Sequence, residues 1–316
     1  MHKRILYLTF FCLLSIQLVA QDSGSGLDFL NIGPSTQLLS LGEATTATPT
    51  GASAIYTNPA LLVQKSGNSA EASYTLWVSD VYNQFAAVNL VKERYALGFG
   101  VYNSQSSGFE ARDNPGDAAG TFNIGYLSLA AAGAYKFGPV SAGITAQYLR
   151  EEVFQFRANG YALSGGLLLN LLDERVRIGA ALQNLGEMEA LNEISTDLPA
   201  TFRAGIKANL IRFVTPGVND FPVLLSIHTE YIRALEDLSR SDYTSSDDGD
   251  DFFIIAMSAE AANLFYLQGG YKFGPTERPF SIGAGLNVDP ISVHYALVPF
   301  STGFGTVHSI GVQYYF

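Results

Sequence analysis

From about residue 69 onward, apolar and polar positions alternate with a period of two, the signature of strands with one buried face. In 202–210, Phe202, Ala204, Ile206, Ala208 and Leu210 share one face, and Arg203, Gly205, Lys207 and Asn209 the other. In 280–288, Phe280, Ile282, Ala284, Leu286 and Val288 oppose Ser281, Gly283, Gly285 and Asn287. At the start of the run, Ala70, Ala72, Tyr74, Leu76 and Val78 oppose Glu71, Ser73, Thr75 and Trp77. The pattern predicts fourteen strands, at 69–78, 82–91, 94–102, 121–136, 139–149, 159–171, 175–184, 200–210, 222–234, 252–261, 264–273, 280–288, 290–298 and 306–316. Segments 121–136 and 159–171 alternate less cleanly. Most approach the ~9–11 residues that a tilted membrane-spanning strand needs.

The last segment sets Ile310, Val312, Tyr314 and Phe316 on one face against Ser309, Gly311 and Gln313. An open sheet would leave such an edge with unpaired N–H and C=O groups. A closed barrel has no edge, so this strand is expected to pair with the one beginning near Ser69. Val312, Tyr314 and Phe316 are then the closure face. A terminal aromatic of this kind also resembles the insertion signal of outer-membrane barrels.

Connection lengths give an independent reading. With an even strand count both termini are expected in the periplasm, joined by tight inner turns and longer outer loops. The tight set is Lys92-Glu93, Phe137-Gly138-Pro139, Leu172-Asp173-Glu174, Ala262-Asn263 and Val288-Asp289-Pro290. The long set is 103–120, 150–158, 185–199, 235–251, 274–279 and 299–305, with 211–221 long on the inner side and 79–81 short on the outer. A soluble sandwich has no reason to alternate in this way. The expected fold is an all-β, fourteen-stranded antiparallel transmembrane β-barrel over 68–316.

The N-terminus adds a compartment. Lys3 and Arg4 precede a mostly apolar run from Ile5 to Val19, and Ala20-Gln21 offers a small-residue cleavage point. Residues 1–20 read as a secretory signal peptide. Cys12, the only cysteine, lies within it, so the mature chain has no disulfide and no Cys-based metal site. The formal charge is -11, and loss of Lys3 and Arg4 takes it to -13 (-11 minus 2), which disfavours nucleic-acid binding. Charged residues are only 15% of the chain while Gly (31) is abundant and aromatics reach 12%. After the leader no run of 18 apolar residues occurs, so spanning helices are not expected.

Residues 21–67 do not alternate and are expected to form a hatch or plug in the lumen. Asn58-Pro59 reads as a helix start, Asn58 capping and Pro59 in the first turn. Leu41-Gly42-Glu43-Ala44, followed by Ala52-Ser53-Ala54-Ile55-Tyr56-Thr57-Asn58-Pro59-Ala60, resembles the N-terminal motif of the PorV/PorQ family. Leu182-Gln183-Asn184-Leu185-Gly186, Leu198-Pro199-Ala200-Thr201-Phe202-Arg203-Ala204-Gly205, and Tyr295-Ala296-Leu297-Val298-Pro299-Phe300 with Gly305-Thr306-Val307-His308 resemble later motifs of that family. The matches lie in order over residues 29–316. The family motif in the hatch comprises Gly42, Glu43, Ala44, Asn58, Pro59 and Ala60. That family is similar in turn to the FadL-like barrels, which carry an Asn-Pro-Ala hatch inside fourteen strands.

The resemblance implies an outer-membrane component of the type IX secretion system of Bacteroidota-type bacteria. It would bind and shuttle cargo, with a large translocon barrel and cargo C-terminal domains as partners. The competing reading is a FadL-like channel for small hydrophobic molecules. Glu71, Arg203, Lys207, His228, Glu230, Glu260, Lys272 and His294 are expected to face the lumen, either pairing with one another or lining a path. Asn58-Pro59-Ala60 either positions the plug or gates it. No cofactor is implied. Catalysis is disfavoured, because His228, His294 and His308 match no hydrolase or metalloprotease motif. Only a coupling of His294 and His308 across loop 299–305, with Ser301 or Ser309, would offer a hydrolase. Asp237, Asp242, Asp247, Asp248, Asp250 and Asp251 read as a solvated acidic loop rather than a calcium site, since their spacing matches no calcium loop.

Overall fold

The computed structural model describes residues 27–64, 67–111, 120–191, 198–215, 221–235, 251–301 and 303–316. The expected leader (1–20) and most of the acidic loop lie outside these. The strands are β1 (Ser69–Leu76), β2 (Val81–Lys92), β3 (Tyr95–Ala111), β4 (Gly120–Phe137), β5 (Val140–Val153), β6 (Phe156–Leu171), β7 (Val176–Met188), β8 (Thr201–Thr215), β9 (Phe221–Ala234), β10 (Phe252–Ala261), β11 (Phe265–Phe273), β12 (Phe280–Val288), β13 (Ile291–Pro299) and β14 (Thr306–Tyr315). Each pairs antiparallel with its sequence neighbour, and β1 pairs with β14, closing a fourteen-stranded barrel. At the seam Ala70 faces Tyr314 and Ala72 faces Val312. Asn68 and Phe316 exchange both backbone hydrogen bonds at 3.1 Å.

The period-two pattern sorts the side chains as expected. Even positions of β1 and β14 point out and odd ones in. The outer face is a belt of exposed apolar groups, among them Ile144 (72% exposed), Tyr161, Leu163, Leu267, Ile310 and Phe316 (56%). Water-facing surfaces rarely carry so continuous an apolar patch, so the belt meets lipid. Among the described residues no helix is long and apolar enough to cross a membrane.

The wall is uneven. β3, β4 and β6 run to 17, 18 and 16 residues, whereas β11, β12 and β13 have 9. The excess of β3–β7 stands above the rim opposite the seam ends, here the far rim. This corrects three expected connections. The segment 150–158 is nearly all strand, since β5 and β6 join through Phe154 and Gln155 alone. The ladder of β3 and β4 likewise reaches Ala111 and Gly120 across a bulge, well into 103–120. The inner segment 211–221 is shortened because β8 continues to Thr215, also across a bulge. In β3 to β6 polar or Gly-containing strand ends beyond the apolar belt lose the alternation that marks a strand, and in β8 the bulge between Asn209 and Ile211 breaks its phase.

Within the lumen lies the segment from Leu27 to Gln64, with a helix at Thr36–Ser40 and 3₁₀ turns at Asp28–Asn31, Gly51–Tyr56 and Pro59–Leu61. Leu38, Leu39, Leu41, Ile55, Leu61 and Leu62 are fully buried. Each contributes roughly 1.5–3 kcal/mol through burial.

Candidate functional site

The hatch motif has a local cause. Gly42 Nα–H donates to the Leu39 carbonyl and Glu43 Nα–H to the Leu38 carbonyl, at 3.0 and 2.9 Å. This is a Schellman ending with Gly42 in the left-handed region (φ 60), where glycine is unpenalised. Glu43 follows at φ 74, a conformation that costs a residue with a Cβ about 1–2 kcal/mol. Its side chain is the compensation. Lys272 Nζ donates to Glu43 Oε2 at 2.6 Å, Arg278 Nη1 to Oε1 at 3.0 Å, and the Gly33 amide to Oε1 at 2.9 Å. Arg203 Nη2 donates to the Glu43 carbonyl at 2.6 Å and its Nε to Glu230 Oε1 at 2.6 Å. Glu230 also receives the Thr46 amide and hydroxyl, at 2.8 and 2.7 Å. Burial opposes the charge on Glu43, but Arg278 and Lys272 outweigh it and hold the carboxyl well below the usual carboxylate range.

Asn58 is the second anchor. It caps the turn at Pro59 by accepting from the Ala60 amide at 3.0 Å. Its Nδ2 donates to the carbonyls of Thr46 and Leu167, at 2.8 and 3.1 Å. One buried amide thus ties together two parts of the hatch and the wall. Asn58→Ala is expected to lower stability by about 1–3 kcal/mol, read as a fall in the unfolding midpoint, because it orphans buried groups. Unchanged stability would contradict this assignment.

The remaining predicted lumen residues divide in two. Glu71 accepts from the Ser53 amide at 3.1 Å, and His228 bridges Thr48 Oγ1 (2.8 Å) and Ser258 Oγ (2.9 Å), so both hold the hatch. Lys207 stands opposite His228 in the β8–β9 register. Glu260 lies 3.5 Å from the Tyr266 hydroxyl, and His294 contacts the Tyr266 ring at 6.0 Å. Val312, Tyr314 and Phe316 face outward at the seam. Ala44 and Ala60 are buried.

Three features escaped the sequence reading. Arg278, from the loop between β11 and β12, reaches Glu43, donates to the Asn31 carbonyl at 3.4 Å and lies over the Trp77 ring at 5.1 Å. Nothing in the alternation marks a loop arginine as a latch, although Glu43, the single charged residue between Phe29 and Gln64, signals that a cation must meet it. Gln183 Nε2 donates to the Tyr56 and Thr57 carbonyls, at 2.9 and 2.5 Å. Asn184 (φ 57) forms a bulge against Ser164 and donates to the Pro199 carbonyl at 3.2 Å. The mid-barrel motif is therefore part of the hatch seat. Finally, inward glycines of the wall are where the hatch backbone touches it. A Cβ at Gly143 would lie 2.6 Å from the Pro59 carbonyl carbon, and one at Gly270 2.6 Å from the Leu41 carbonyl oxygen. Gly166 and Gly179 are closed in the same way by Asn58 and Thr46.

Above the latch, toward the far rim, a cavity of about 340 Å³ is lined by Leu30, Ile232, Phe252 and Phe300 together with Glu43, Arg203, Lys272 and Arg278. The histidine pair that a hydrolase would need is divided by the wall. His294 points inward, whereas His308 points outward and meets the Tyr295 hydroxyl at 2.7 Å. Ser309 is bonded to Thr36 and Thr75, and Ser301 to Glu277. Of the acidic loop, only Asp251 is described; it accepts from the Tyr231 hydroxyl at 2.7 Å.

The architecture is similar to that of solved barrels. The toluene transporter TbuX of Ralstonia pickettii aligns with a TM-score of 0.57 at 15% identity, covering 90% of this chain and 98% of that one. The toluene transporter TodX of Pseudomonas putida aligns at 0.57 and 13%, covering 88% and 96%. A Pseudomonas aeruginosa FadL homologue aligns at 0.52 and 10%, covering 89% and 98%. No protein-family model and no curated protein matches the chain. At these identities the likeness is one of fold, and none of the matches confirms the PorV/PorQ resemblance expected from the motifs.

Proposed function

We propose that this chain is an outer-membrane barrel, with both termini periplasmic, that passes small hydrophobic molecules past a movable hatch. The observation that supports this reading is the architecture: a fourteen-stranded barrel around a hatch, similar in fold to barrels described as toluene transporters. The far-rim cavity gives an entering molecule apolar contacts on Leu30, Ile232, Phe252 and Phe300. Beneath it the Glu43–Lys272–Arg278 latch and the glycine seat close the way. Passage then requires the hatch to shift, and the mixed polar packing around Glu43, Glu71 and His228 is easier to break and rewet than an apolar core. Cells expressing the chain are expected to take up labelled toluene or a long-chain fatty acid several-fold faster than cells lacking it. Equal rates would overturn the reading.

A role in type IX secretion is the second reading. The tight hatch seat supports it, because a sealed barrel suits a protein that binds partners at its rim. Its motif residues Asn58 and Gln183 serve hatch docking, which either function needs. Under this reading a pull-down from native membranes brings down a large barrel or cargo C-terminal domains, and deletion leaves hydrophobic uptake unchanged.

A further inference from the structure

The outward face of the tall wall carries a polar groove. Along β3, β4 and β5 the lipid-facing positions are apolar or aromatic as far as the row of Val101, Leu129 and Tyr148. One step further toward the far rim the register places Asn103, Leu127 and Arg150 side by side. The next row holds Gln105, Gly125 and Glu152. Gly125 has no side chain and open space where a Cβ would stand, so it forms the floor. The groove above it is about 650 Å³ and is walled by Asn103, Gln105, Asn123, Arg150 and Glu152.

We propose that this groove seats the phosphate-bearing headgroup of an anionic membrane lipid in the leaflet that meets the far rim. Its place decides the occupant. It opens on the lipid-facing side, directly beyond the apolar belt, so whatever fills it lies at headgroup depth. Leu127, which lines the groove, continues into Leu129 and Val101, giving acyl chains a path down the belt. The chemistry agrees. Arg150 donates from Nη2 to Glu152 Oε1 at 2.8 Å, while its enclosed Nε has no partner. Arg157 also donates to Glu152 Oε1, at 2.6 Å. Two guanidiniums thus share the Glu152 carboxylate. Guanidinium forks and amide donors are the groups that bind phosphate oxygens.

The test is native mass spectrometry of the full chain, offered phosphatidylglycerol or phosphatidylcholine at equal concentration. The wild type is expected to retain one phosphatidylglycerol at least tenfold more than phosphatidylcholine. Gly125→Leu, which fills the groove from an ordinary strand conformation, is expected to remove that preference, as is Arg150→Ala. Heat-dependent gel mobility verifies that each variant is a folded barrel. Equal retention of the two lipids by the wild type would overturn the proposal without any variant. So would undiminished retention by Gly125→Leu, or a lipid-independent dimer of the chain that Gly125→Leu abolishes.

Discussion

Gly143→Leu is expected to turn the closed barrel into an open pore. The atoms a Cβ would meet are the Pro59 carbonyl carbon (2.6 Å), the Ala60 nitrogen (2.7 Å) and the Pro59 carbonyl oxygen (2.8 Å). All are backbone, so no side-chain rotation relieves the clash, and the turn that Asn58 caps must leave the wall. Leu61, Leu62 and Ile55 leave with it, each forfeiting roughly 1.5–3 kcal/mol of burial. The strands are paired to one another rather than to the hatch, so the barrel itself survives. In planar bilayers the variant should conduct steadily where the wild type is closed. Gly165→Leu is the control: it lies in the same barrel, with open space around its Cβ, and should leave the baseline unchanged. A closed Gly143→Leu barrel would show that the hatch is not seated on this wall.

Glu43→Ala is expected to loosen the hatch by about 3–5 kcal/mol, since removing one member of a buried ion cluster strands the others. Lys272, nearly as buried as Glu43 itself, is left without its carboxylate. The reading is hydrogen exchange of the hatch amides between Gly33 and Ala44, which should lose several hundred-fold protection. A group whose folded pKa is depressed stabilises the fold above its unfolded value, near 4.5 here. That stabilisation is lost as the pH falls through the folded value. The latch contribution should therefore be flat from pH 7 to pH 5 and disappear only in strong acid. A loss of protection between pH 7 and pH 5 would place the controlling group elsewhere.

The barrel was legible because its wall repeats one physical rule. Lipid outside and a polar or hatch-filled lumen inside force alternation, which located all fourteen strands and the facing of residues such as Glu71, Arg203 and Ile206. Legibility failed where that rule lapses. Above the belt, Gln105 and Glu152 point outward without being apolar, so β3 and β5 appeared shorter than they are. The hatch motifs could be seen but not explained. That Gly42 ends a helix so that Glu43 can meet cations from β8, β11 and a loop is a matter of contacts across 160 to 235 residues. Sequence period carries no trace of them. The seating glycines are equally silent, since a small residue in the lumen alternates as well as any polar one.

The central claim is that the hatch moves to let a hydrophobic molecule through. Thr36 and Ser309 place their side-chain oxygens 2.8 Å apart, on the hatch and on β14. A cysteine pair there would form a disulfide with little rearrangement, and Cys12 lies in the expected leader and offers no competing thiol. Uptake of a labelled hydrophobic probe through the Thr36→Cys/Ser309→Cys chain should fall to the level of barrel-free cells when oxidised and return on reduction. Equal uptake in the oxidised and reduced states would contradict the account.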